Sequence, residues 1–189
     1  MRFAIACLLS LMLMPACCCA SGQEGSWLDQ AKPATWNQPG MSIPAAPESH
    51  GNADPRCRKQ ARPPQLSEDK RLHERGWDLI GAYQGGWNVL VIAAAVSYDG
   101  MCRPLQYQYF AFVRGVFAGT LSPQLMDSRT DGALSRVSFE SGSRLNVQYL
   151  RYALTDALCC ASRTTSVIFE ISGDKPVIQP TLVTTSLNR

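Results

Sequence analysis

RVSFESGSRLNVQYLRY, residues 136–152, alternates apolar and polar side chains on either side of Ser141-Gly142-Ser143. Alternate residues of a strand point to opposite faces of a sheet, so this period of two calls for a hairpin with one buried face. Val137 and Phe139 would meet Leu145, Val147 and Tyr149 on that face. SVIFEISGDKPVIQP, residues 166–180, repeats the device, with Val167, Phe169 and Ile171 inward and Gly173-Asp174 at the turn. LQYQYFAFVRGVFAGTL, residues 105–121, reads as two strands turning at Arg114-Gly115. Along the first, Leu105, Tyr107, Tyr109, Ala111 and Val113 share one face, while Gln106 and Gln108 begin the other. WNVLVIAAAVS, residues 87–97, is apolar throughout, as expected of a central strand covered on both sides.

The expected fold is therefore mainly β (α+β): an antiparallel sheet of hairpins, covered by one or two short helices. SEDKRLHERG, residues 67–76, has the marks of a helix, with Ser67 as N-cap, Glu68 and Asp69 in the first turn, Arg71 and Arg75 late, and Gly76 as the stop. Residues 66–185 have the size of a single domain. Before them, residues 23–65 are rich in Pro, Gln, Ser, Gly and Ala, and seven of the chain's twelve prolines fall between Pro33 and Pro64. That composition predicts a flexible, extended tether. Trp27 and Trp36 interrupt it, either as incidental apolar residues or as points that dock on the domain.

Residues 1–22 read as an export signal, with Arg2 in a short basic region, an apolar stretch over residues 4–14 and small residues after it. Two cleavage sites compete. Met14-Pro15-Ala16-Cys17 resembles a lipobox, which would put a diacylglyceryl group on Cys17 and anchor the chain on a membrane surface by two acyl chains. Ala20-Ser21-Gly22 instead suits ordinary signal peptidase, which would cut before Gln23 and discard Cys17, Cys18 and Cys19. The expected location is the cell envelope, facing the periplasm on a lipid anchor, or soluble in the periplasm or secreted under the second cut.

Cys57, Cys102, Cys159 and Cys160 remain beyond the signal. In an exported chain an even number points to disulfides, and four cysteines allow three pairings. Neighbours such as Cys159 and Cys160 more often bond to different partners than to each other. The spacing lacks a C-x-x-C knuckle, so no metal site is expected, and no cofactor motif is present.

Beyond residue 22 the chain carries 17 basic and 15 acidic groups. Arg56, Arg58, Lys59 and Arg62 cluster, but Glu68 and Asp69 follow at once. A nucleic-acid partner would need a broader basic stripe with aromatic platforms, so none is expected. His50 and His73 are the only histidines, and there is no G-x-S-x-G elbow. SPQLMDSRTDGAL, residues 122–134, is the candidate ligand loop. Asp127 and Asp131 could act as acid and base with Arg129 holding an anion, although the same residues also describe a well-capped turn.

At YDGMCRPLQYQYFAFVRGVFAGTLSP, residues 98–123, the chain resembles the LppP/LprE family of bacterial envelope lipoproteins. Tyr98, Asp99, Cys102, Gly115, Gly119 and Thr120 occupy the places of the family's pattern, and LNVQYLRY, Cys159-Cys160 and VIFEISGDKPVIQP fit its second half. The resemblance covers about residues 77–180. It implies a secreted or lipid-anchored domain with a disulfide from Cys102 to one of the paired cysteines, and it carries no reaction over. The function expected is a non-catalytic envelope lipoprotein that binds an envelope component or partner protein. The alternative is a small periplasmic hydrolase using Asp127 and Asp131.

Overall fold

A computed structural model describes residues 26–49 and 55–188; the signal segment, Cys17 and His50 lie outside them. Two four-stranded antiparallel sheets face each other. The first has strands β1 (Asp78–Gly86), β2 (Val89–Ala95), β5 (Gln108–Val113) and β6 (Val116–Thr120) in the order β1-β2-β5-β6. The second has β7 (Ala133–Ser141), β8 (Arg144–Arg151), β9 (Arg163–Ser172) and β10 (Val177–Leu187) in the order β10-β9-β8-β7. A small pair, β3 (Ser97–Tyr98) and β4 (Pro104–Leu105), sits beyond the end of β2.

The hairpins foreseen from alternation form in the foreseen register. Val137 pairs with Val147 and Phe139 with Leu145, and Val147, Tyr149, Val167 and Phe169 are fully buried between the sheets. Facing them from the first sheet are Val91, Ala111, Val113 and Ala118. Tyr107 also lies in this core, and Tyr109 packs against it, so the tyrosines at period two fill space rather than line a site. Burial pushes their pKa values up, which keeps both phenols neutral.

The even apolarity of β2 has its cause in a third layer. Val91 and Ala95 face the second sheet, while Ile92 and Ala94 face a separate core with Leu72, Trp77, Phe110 and Phe112. Helix α2 (Ser67–Glu74) supplies Leu72 to that layer. Ser67 is not its N-cap. Leu66 takes the capping position, and the orphan amides of Gln65 and Leu66 donate to the Asp69 carboxylate at 3.0 Å each. Asp69 is fully buried and also receives both terminal nitrogens of Arg62 at 2.6 Å. Arg62 in turn donates to the Gly81 carbonyl, which ties residues 55–66 to β1.

This pair gives a first prediction. Burial raises the Asp69 pKa, but the hydrogen bonds from Arg62, Leu66 and Gln65 outweigh it and hold the carboxyl below its usual value. The folded pKa is depressed, so the stabilisation is present above the unfolded value near pH 4 and lost as pH falls through the folded one. Asp69→Ala is expected to cost about 3 kcal/mol at pH 7, because it strands Arg62 and two amides. In denaturant titrations that loss should shrink as pH falls below about 4; a loss independent of pH would rule the mechanism out.

The proline-rich stretch differs from the expected tether. Residues 26–49 are a strap laid across the domain, and Leu28, Asn37 and Ile43 are buried. Trp27 meets Trp36 and Tyr149 edge-on at 5.0 and 5.3 Å, so both tryptophans dock. The Trp77 indole donates to the Pro44 carbonyl at 2.9 Å and the Arg75 side chain to the Ile43 carbonyl at 3.0 Å. An extended segment has no internal hydrogen bonds, and here side chains of the domain supply them. Composition alone reads such a stretch as unable to bury enough surface, whereas a few well-spaced apolar anchors suffice when a core is already waiting. A four-residue helix, α1 (Pro55–Arg58), was likewise not foreseen; Pro55 opens it and its Cys57 is buried.

Candidate functional site

The turns after β1, β5, β7 and β9 come together at one end of the sandwich. The last three of these turns line a cavity of about 400 Å³, within the range of ligand pockets. Val113, Val116 and Ile171 give it apolar walls, and Arg114, Ser143 and Asp174 bring polar groups to it. Neither the Arg114 nor the Asp174 side chain has a hydrogen bond or ion pair to another described residue. A second cavity of about 490 Å³, toward Met41, Ile43 and Arg71, shares Val116 with the first.

Trp87 stands beside this end. It forms the tip of the β1–β2 hairpin with Asn88, at φ 61° and 82°, and it is 67 % exposed. A left-handed backbone matches the twist of a two-residue hairpin but is costly for a bulky side chain. The Arg114 amide donates to the Asn88 carbonyl at 2.9 Å, and Gly142 of the β7–β8 turn lies against Trp87. An exposed indole held in a strained turn beside a cavity is the arrangement expected of a recognition anchor. The sequence signal was present, a Trp-Asn pair where Asn-Gly is usual, but the continuous apolar run of residues 87–97 had absorbed Trp87 into the strand.

The residues of the loop 122–134 are brought near one another but put to other uses. The buried Arg151 donates to Asp131 at 2.9 Å, to Asp29 at 2.8 Å and to Thr165 at 3.3 Å. Burial lowers the Arg151 pKa, yet the two carboxylates outweigh it and the guanidinium stays charged. Asp127 accepts from the Gln106 amide at 2.7 Å, and Thr130 donates to the Asp127 carbonyl. Arg129 projects into solvent at φ 63°. Each carboxylate thus has a structural partner, and the loop is a capped turn that pins the strap to β8. His73 lies exposed on α2.

Two arginines of the basic cluster have partners within the domain. Arg58 approaches Asp78 at 3.8 Å and Arg62 holds Asp69. Tyr98, beside Asp78 and Arg58, has its hydroxyl buried without a hydrogen-bond partner. Burial, and then the Asp78 charge, push its pKa up to about 12, so it is a neutral phenol. Among the described residues no group of His, Cys, Asp and Glu is arranged to hold a metal.

The cysteines pair as Cys57–Cys102 and Cys159–Cys160. This corrects the bond from Cys102 to one of the neighbouring pair that the resemblance implied. The geometric reason is placement: α1 carries Cys57 to the loop that precedes β4, and the Cys159–Cys160 loop belongs to the other sheet.

Compared with known families, residues 86–174 match the model of the LppP/LprE lipoprotein. Over that segment the chain is similar to the family. No curated protein and no solved structure matches the chain. The LppP/LprE segment runs from the tip of the first hairpin to the turn after β9, so it contains Trp87, Arg114, Ser143 and Asp174. It leaves outside it the strap, α2 and Cys57. The likeness is to lipoproteins and lies in the two sheets and the turns at the cavity end.

Proposed function

We propose that the protein is a non-catalytic lipoprotein of the bacterial cell envelope, anchored through a diacylglyceryl group on Cys17, which binds an envelope component or partner protein with the turn end of its β-sandwich. One observation carries the binding part: the cavity of about 400 Å³ between the turns, with apolar walls, uncommitted Arg114 and Asp174, and Trp87 exposed beside it. The anchor part rests on the lipobox-like Met14-Pro15-Ala16-Cys17 and on the family match. Asp127 and Asp131, which a hydrolase would need free, are held by Gln106 and Arg151.

Complementation of a deletion strain tests the reading. The double substitution Asp127→Ala, Asp131→Ala is expected to complement, while Val116→Trp is expected to fail at wild-type abundance. Val116 is half exposed and borders both cavities, so an indole there fills them with little cost to the fold. The opposite pattern would favour the hydrolase. Intact mass of the membrane-extracted protein tests the anchor: a chain starting at Cys17 with a diacylglyceryl increment is expected, and one starting at Gln23 would overturn it.

A further inference from the structure

The end of the sandwich opposite the cavity carries a second surface. The loop between β8 and β9, residues 152–162, holds Leu154 fully exposed and Leu158 62 % exposed. This is not a loose loop. The Asp156 carboxylate accepts the amides of Ala153 at 2.7 Å and Ser162 at 2.9 Å, the Cys160 amide donates to the Ala157 carbonyl, and Cys159–Cys160 closes its far side. Two leucines held outward by a hydrogen-bonded frame face water for a reason other than lack of structure.

Three neighbours say what they meet. The Tyr152 amide donates to Asp131, which sets the loop beside the turn that presents Arg129, exposed and without an ion pair among the described residues. Arg151 binds Asp29, so the beginning of the strap lies at this same end. From Cys17 to Ser26 is nine residues, a reach of at most about 30 Å. A lipid on Cys17 therefore keeps this end of the domain close to the bilayer, while β8, eight residues long, sets the cavity roughly 25 Å further out.

On the reading that Cys17 is lipidated, we infer that the 152–162 loop is a second membrane contact, with Leu154 and Leu158 entering the headgroup boundary and Arg129 meeting lipid phosphate. The anchor and the loop together then fix the orientation of the domain, with Trp87 and the cavity pointing away from the membrane. The occupant is a lipid surface because apolar tips, a free guanidinium and a short lipidated leash converge on one end.

Hydrogen exchange of the full-length lipidated chain, in vesicles of phosphatidylcholine and phosphatidylglycerol, tests this against the unlipidated Cys17→Ser chain in solution. Amides of residues 153–162 are expected to exchange about tenfold more slowly on the vesicles, with β8 and β9 unchanged. Leu154→Ser with Leu158→Ser should abolish that difference while the chain stays on the vesicles. Equal exchange in both settings, with the chain still vesicle-bound, would overturn the loop contact and leave the anchor standing. Protection found in native membranes and absent from pure lipid would also overturn it, in favour of a protein partner. A chain whose mass lacks the diacylglyceryl increment and which leaves the vesicles would overturn the anchor first and the loop contact with it.

Discussion

Gly119→Ala is expected to be among the most damaging single-methyl changes in this domain. Gly119 sits at φ 133°, next to the bulge where β5 and β6 lose register, and a Cβ there would lie 2.2 Å from the Asn37 amide carbon. Asn37 cannot step aside. It is fully buried, donates to the carbonyls of Thr120 at 2.9 Å and Ile178 at 2.8 Å, and accepts the Thr120 amide at 2.9 Å. Through these bonds one strap residue stitches β6 of the first sheet to β10 of the second. The methyl would either displace that side chain, taking the Asn37 bond from the Thr120 amide and the Ile178 carbonyl and leaving the Thr120 carbonyl to the Trp36 indole alone, or move β6. We expect a loss of about 4 kcal/mol in urea titrations, together with early proteolysis of residues 26–49. Adding Asn37→Gly should cost far less than its own single-mutant loss, since the clash and the bonds share one side chain. A Gly119→Ala loss below about 1 kcal/mol would show that the strap is not held at Asn37.

Removing the Cys57–Cys102 disulfide is expected to cost nearly as much, for a different reason. The bond closes a loop with a sequence separation of 45, and loop-closure entropy at that length is worth about 4 kcal/mol. Cys57→Ser with Cys102→Ser should lower the unfolding midpoint accordingly and release the strap from its C-terminal end. Cys159→Ser with Cys160→Ser should cost less than about 1 kcal/mol, because a bond between neighbours restricts almost nothing in the unfolded chain. Calorimetry of the two double variants checks the ranking. Equal losses would mean that the neighbouring bond supports the sandwich itself.

The strands were legible because period-two alternation is a local property. Val137, Leu145, Val147 and Tyr149, and Val167 with Phe169, show their buried face in any window of eight residues, and the turns at Arg114-Gly115 and Gly142-Ser143 follow from their own residues. The same holds for helix α2, although its cap did not: Ser67 has the chemistry of a cap, but its hydroxyl donates to Glu68, and Asp69, anchored by Arg62 from outside the helix, takes the amides of Gln65 and Leu66 that precede it.

The candidate loop 122–134 shows the limit more sharply. Its spacing of carboxylates and arginine is compatible with catalysis or with a turn, and the partner that Asp131 takes in the fold, Arg151, lies twenty residues beyond it. Nothing local announces that partner. The cavity was illegible for a related reason, since its walls come from turns that are distant in sequence and adjoin only after the two sheets stack.

The sequence by itself determined the β class, the faces of the hairpin strands and the likeness of residues 86–174 to LppP/LprE lipoproteins, because each depends on short-range pattern or on residues in fixed order. Tertiary structure alone decided the disulfide pairing, the conversion of a proline-rich stretch into a packed strap, and the separation of an indole-flanked cavity from a leucine-tipped loop at the other end. Those features depend on which surfaces meet when two sheets close on one core. That closure is set by the summed burial of many distant side chains, which no single stretch of the chain displays.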